Sequence, residues 1–229
     1  MKTMNAFKSA IAPKIRVTIG GILFGSAIIS TNCFAQIPAF AGVIVHGDSP
    51  QSKTVPLEKF VGYYQLPDKA SFIQFELKNS ALFAQWDNKE YQLIQINETN
   101  FESKNEGHKV EFLKDSSGHF AYAKILEKIV AVKVKFDPKI IKKLSAAQMK
   151  GLEGTYSLKD DNSFQINIRS SANGLILKQL WDNKEITFTP RSETFFLNED
   201  STFPLTFLLR KEEAVQVTCF EDDIWLKTK

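Results

Sequence analysis

The sequence predicts an all-β chain: two tandem small antiparallel meander barrels or half-barrels joined by a short helix. Three observations carry this reading. The pentapeptide Trp86-Asp87-Asn88-Lys89-Glu90 recurs unchanged 95 residues later as Trp181-Asp182-Asn183-Lys184-Glu185. Around both copies, short runs alternate apolar and polar residues with a period of two, the pattern of strands with one face in a core and the other in water. Turn residues separate these runs at intervals of about 8 to 12 residues, the spacing of an antiparallel meander that curls on itself.

Taken in chain order, residues 1–35 read as a secretory signal peptide. Lys2, Lys8, Lys14 and Arg16 form a basic start, Val17 to Ile29 an apolar run, and Cys33-Phe34-Ala35 a small-x-small cleavage site before Gln36. The run is shorter than the ~20 residues of a retained span, and no later stretch is apolar enough to cross a membrane. The chain is therefore expected to be exported, periplasmic or extracellular. A competing reading attaches lipid at Cys33, although Ser30-Thr31-Asn32 matches such a signal poorly. Residues 36–55 carry Gly, Ser and Pro without periodicity and read as a linker.

Charge follows the same division. The whole chain is +3, but the leader holds four of its 29 Lys and Arg, which leaves 25 against 26 Asp and Glu. No net basic charge remains to favour nucleic acid. Cys219 is the one cysteine beyond the leader, so no disulfide staples the domains, and in a strand-like stretch it reads as a small packing residue.

The first module, residues 56–137, contains Gly62-Tyr63-Tyr64 and then Ile73, Phe75 and Leu77 alternating with Gln74, Glu76 and Lys78. Further strands are expected at Leu82 to Trp86, Tyr91 to Ile96, Val110 to Lys114, Phe120 to Ile125 and Ile129 to Phe136. Asp137-Pro138 then predicts a short helix over Lys139 to Lys150, leading into the second module, 138–229. Glu98-Thr99 and Phe101 meet Glu193-Thr194 and Phe196 at the offset of 95, as Phe112-Leu113 meets Phe207-Leu208. Upstream the offset falls to 92, where Gly154-Thr155-Tyr156 answers Gly62-Tyr63-Tyr64. The three-residue difference is placed at Ser170 to Gly174, read as a longer hairpin turn than Asn79-Ser80. An outer-membrane barrel shares the alternation, but its strands need ~9 to 11 residues, longer than most of these runs, whose outer faces also carry Glu, Lys and Arg.

Gly62 and Tyr64, Glu98-Thr99, Phe101 and Phe112, with Gly154 and Tyr156, Glu193-Thr194, Phe196 and Phe207, give a pattern that resembles a bacterial domain of unknown function. That domain is often appended to the C-terminus of β-lactamase-like serine hydrolases of the S12 peptidase type, where it forms a lipocalin-like β-barrel. The resemblance covers nearly all of the chain beyond the leader, twice. It implies an accessory part beside a separately encoded serine hydrolase, since Ser-x-x-Lys, Lys-Thr-Gly and Gly-x-Ser-x-Gly do not occur.

No catalytic, metal or cofactor constellation emerges. His46, His108 and His119 lack zinc-ligand spacing, and Asp160-Asp161 and Asp222-Asp223 suit turns better than an acid/base pair. The candidate ligand-binding residues are Trp86 and Trp181, stacking at barrel mouths, with Tyr64 and Tyr156 adding polar tips; the alternative makes the pentapeptide a hairpin turn and the Trp core closure. The expected function is thus a non-enzymatic binding or accessory protein holding a small apolar ligand. The alternatives are a hydrolase with a non-standard site and a purely structural spacer or interaction module. No cofactor and no nucleic acid is expected.

Overall fold

The structure is a computed structural model that describes residues 55–228. The expected signal peptide, the lipid-attachment reading at Cys33, His46 and all but the last residue of the expected linker lie outside the described residues. Eight strands close the first barrel: β1 (Gly62–Gln65), β2 (Phe72–Lys78), β3 (Ala81–Trp86), β4 (Lys89–Gln95), β5 (Asn100–Ser103), β6 (Lys109–Lys114), β7 (Phe120–Ile125) and β8 (Ile129–Val134). Eight more close the second: β9 (Gly154–Leu158), β10 (Gln165–Ser171), β11 (Gly174–Gln179), β12 (Glu185–Pro190), β13 (Phe195–Asn198), β14 (Pro204–Arg210), β15 (Glu213–Cys219) and β16 (Asp223–Lys227). Each barrel is an antiparallel meander whose last strand pairs with its first. Closure leaves no open sheet edge.

The alternating residues point where the pattern requires. Ile73, Phe75, Ile166 and Ile168 are buried, and Gly62 pairs with Phe75 as Gly154 pairs with Ile168. Even an irregularity is shared: β6–β7 breaks register between Leu113 and Lys114, and β14–β15 between Leu208 and Leu209. The same bulge in both copies marks it as part of the module.

A short helical element plugs one end of each barrel. In the first it is a 3-10 turn, Leu57–Lys59; in the second it is α1, Ala146–Leu152. The expected helix over Lys139 to Lys150 is thus corrected to a start seven residues later. Ser145 and Gln148 form a reciprocal capping box that fixes the first turn. Asp137 instead folds back on the chain, its Oδ1 accepting from the Lys139 amide at 2.8 Å.

The hairpin expectation is also corrected. Lys78 pairs with Ala81 and Ser171 with Gly174, so both hairpins turn on two residues. The extra residues lie elsewhere. One is in the β9–β10 loop, because Gln65 pairs with Phe72 where Ser157 pairs with Gln165. Two are in the pentapeptide hairpin itself: Trp86 pairs with Lys89, whereas Gln179 donates its amide to the Lys184 carbonyl.

Candidate functional site

Tyr64 and Tyr156 are not at a mouth. Both are fully buried at the plugged ends, where the Tyr64 hydroxyl donates to the Phe60 carbonyl at 3.0 Å and the Tyr156 hydroxyl to the Leu152 carbonyl at 2.6 Å. A helix end leaves carbonyls without intrahelical partners, and each tyrosine satisfies one four residues back. Their place among the expected ligand contacts is therefore corrected to a structural clasp, and burial pushes both hydroxyl pKa values up.

A second clasp, which sequence reading missed, doubles the first. Lys133 Nζ donates to the Lys59 carbonyl at 2.8 Å, and Lys227 Nζ to the Gly151 carbonyl at 3.4 Å. Lys133 also lies 5.5 Å from the Tyr64 ring centre. Gly62 is needed beneath it: φ there is +135°, and a Cβ would stand 3.1 Å from the Lys133 Cε. The lysines stand 94 residues apart, so a search at 95 or 92 passes over them.

Trp86 and Trp181 occupy different settings despite identical flanks. In the first barrel Asp87 and Asn88, with φ of 49° and 62°, make a two-residue turn of the I′ type. Trp86 stays in β3 and packs against the barrel core. In the second, residues 180–183 form the turn and Asn183 alone has positive φ. Trp181 then lies over the barrel end, 39% exposed, stacked on the buried Trp225 at 6.2 Å and edge-on to Phe164 at 5.5 Å. The strand position that matches Trp86 holds Gln179, which is buried.

The two mouths differ accordingly. At the first, Trp86, Tyr91, Leu93, Ser103, His108 and Leu126 line a small apolar cleft of about 20 Å³. Tyr91 and His108 meet at 5.7 Å, and the Ser103 hydroxyl accepts from the His108 amide at 2.9 Å. At the second, register places Phe203 where His108 stands and Phe220 where Leu126 stands. Those two rings stack at 4.1 Å, with Phe188 edge-on to Phe203. A cleft of this size has room for about one water. A larger depression, about 380 Å³, lies elsewhere and is lined by Lys109, Glu111, Lys124 and Glu127. Its charges pair off as Lys109–Glu127 and Lys124–Glu111.

Several other titratable groups serve turns and packing. Asp115, Ser117 and His119 do meet, with Ser117 Oγ 2.8 Å from His119 Nδ1 and 2.7 Å from Asp115 Oδ1. The geometry is not that of a nucleophile triad, in which the carboxylate orients the imidazole. Here Asp115 holds the Ser117 and His119 amides and the Ser117 hydroxyl of one exposed turn, and those bonds lower its pKa. Cys219 is wholly buried, which raises its thiol pKa well above the usual range. Burial also raises the Asp223 carboxyl, reinforced by the charges of Asp222 and Asp160. Asp161 caps its own turn through Ser163. Among the described residues no three His, Cys, Asp or Glu side chains gather as a metal site, and no helix is long and apolar enough to cross a membrane.

No protein-family model matches the chain, and no curated protein matches it.

Proposed function

We propose that the chain is an exported, non-enzymatic binding module that meets its partner by surface contact at the mouth of the first barrel. The observation that carries this reading is the asymmetry of the mouths. Phe203 and Phe220 stack across one, while His108 and Leu126 leave the other a shallow cleft beside Trp86 and Tyr91. The cleft suits only the edge of one small apolar group presented from outside, such as the rim of a ring or the end of a partner's side chain. An enclosed ligand would need a cavity of about 300 to 1,000 Å³, far beyond this cleft. The partner class implied by the resemblance is a separately encoded serine hydrolase.

The test is an amide-resolved NMR titration with indole as the probe, run on the processed chain and on its His108→Phe/Leu126→Phe variant. Shifts are expected around Trp86, Tyr91, His108 and Leu126, none around Phe203 and Phe220, and none in the variant. Saturable shifts at interior Phe75 and Phe112, or a molecule retained in native mass spectrometry, would replace this reading with an internal carrier. Silence at both mouths would leave the structural spacer.

A further inference from the structure

We propose that the connection between the barrels docks the chain onto an anionic lipid surface, Ile140 and Ile141 entering the headgroup layer while Lys135 and Lys143 face the phosphates. Two adjacent large aliphatic side chains stand 62% and 57% exposed here. Exposure to this degree leaves apolar surface of both in water, which is unfavourable. Residues 135–143 also carry Lys135, Lys139, Lys142 and Lys143 against Asp137 alone, whereas the rest of the chain beyond residue 35 carries 21 Lys and Arg against 25 Asp and Glu.

The isoleucines are displayed on a braced support. Upstream, Phe136 stacks on Phe195 at 5.4 Å, and Phe72 meets both rings edge-on, so that aromatic residues of both barrels grip the start of the connection. The Asp137 carbonyl accepts from the Ile140 amide, and Lys139 Nζ reaches Gln74 Oε1 at 3.0 Å. Downstream, the Lys142 amide donates to the Pro190 carbonyl at 2.9 Å, and its ammonium pairs with Glu193. With both ends already tied, little conformational freedom remains to be lost when the tip is buried.

The chemistry favours lipid over a protein groove. Protein hot spots are enriched in Trp, Tyr and Arg seated in desolvated pockets; this tip offers branched aliphatics beside lysines, whose long stems let an ammonium remain at the interface while carbon is buried. Anionic headgroups supply the complementary charge. None of these residues lines the mouth of the first barrel, so docking and mouth binding hold or fail separately.

The experiment is co-sedimentation of the processed chain with phosphatidylglycerol–phosphatidylethanolamine vesicles at low and high salt. Binding at low salt is expected, with a loss of about 10-fold or more for Ile140→Ser/Ile141→Ser and several-fold for Lys143→Glu. Pure phosphatidylcholine vesicles should bind about 10-fold less than the anionic ones, and an unchanged near-UV signal would show that the variants keep their fold. Equal binding by the double isoleucine variant, equal binding to phosphatidylcholine, or no sedimentation of the unaltered chain would overturn the proposal. Retention on heparin without vesicle binding would also overturn it, by assigning the lysines to a soluble polyanion.

Discussion

The first barrel carries more of its aromatic bulk at the plugged end, the second more of it at the mouth. Phe60 touches Phe101, Phe112 and Phe120 at 4.4 to 5.3 Å, and Phe75 packs on Phe112 at 4.8 Å. At matching positions the second barrel has Leu152 for Phe60, Ile168 for Phe75 and Ala214 for Phe120. The bulk reappears at the other end, with Phe188 for Leu93, Phe203 for His108, Phe220 for Leu126 and Trp225 for Ala131. A packed interior tolerates such exchange when total volume is kept. The difference shows which features were free to move: core bulk shifted from end to end, whereas the tyrosine and lysine clasps on the plug stayed.

The sharpest way to break this comparison is Trp225→Ala. Trp225 is fully buried and braces Trp181, so its removal should cost about 3 to 5 kcal/mol, the range for large aromatic truncations. Trp86→Ala, at a half-buried position, should cost roughly half as much. Urea unfolding would read both, with the second barrel melting first in Trp225→Ala. Equal losses would mean that the two mouths share the same support.

A smaller effect tests whether two residues explain the divergent pentapeptides. Deleting Gln179 and Leu180 gives the second barrel the spacing of the first, Lys178 leading directly into Trp181 as Gln85 leads into Trp86. The hairpin should close on Asp182-Asn183 in a two-residue turn, and Trp181 should enter the interior beside Trp225. Overpacking then costs about 1 to 3 kcal/mol. Adding Trp225→Ala should cost less than the sum of the two changes, because the second removes the crowding created by the first. A purely additive pair, measured by denaturant titration, would show that Trp181 never enters.

Much of the fold was legible because its signals are local. Period-two alternation at Ile73–Leu77 and Gly-x-Tyr at 62 and 154 both report backbone constraints that two barrels must share. The Ser145-x-x-Gln148 capping box was passed over, because Asp137-Pro138 also matches a helix start and drew the boundary forward. The pentapeptide misled for a physical reason. Residue identity constrains side-chain chemistry, but turn type depends on how many residues separate paired strands, and two additional residues moved Trp181 from strand to turn. The tyrosines misled because a polar tip in a barrel suggests a ligand, although a hydroxyl four residues beyond a helix end has an open carbonyl within reach.

The smallest effect separates the plugs by pH. Glu153 follows α1, and its carboxylate accepts from Lys150 Nζ at 2.6 Å and from the Ser170 amide at 3.0 Å. The Lys150 bond, then the Ser170 bonds, push its pKa down to about 2 from an ordinary 4.5. At the matching place the first barrel has Val61, which cannot titrate. A carboxyl with a lowered folded pKa adds stability above its unfolded value and loses it as pH falls through the folded value. Glu153→Gln should therefore destabilise the second barrel near neutral pH by about 0.5 kcal/mol, a figure kept small by the solvent exposure of its Lys150 partner. That gap should close as pH drops from about 4.5 toward 2, while the first barrel's transition stays the same in both proteins. Urea midpoints across that range would read it, and a gap that ignores pH would mean that Glu153 acts as a neutral hydrogen-bond acceptor, leaving the two plugs alike in their response to acid.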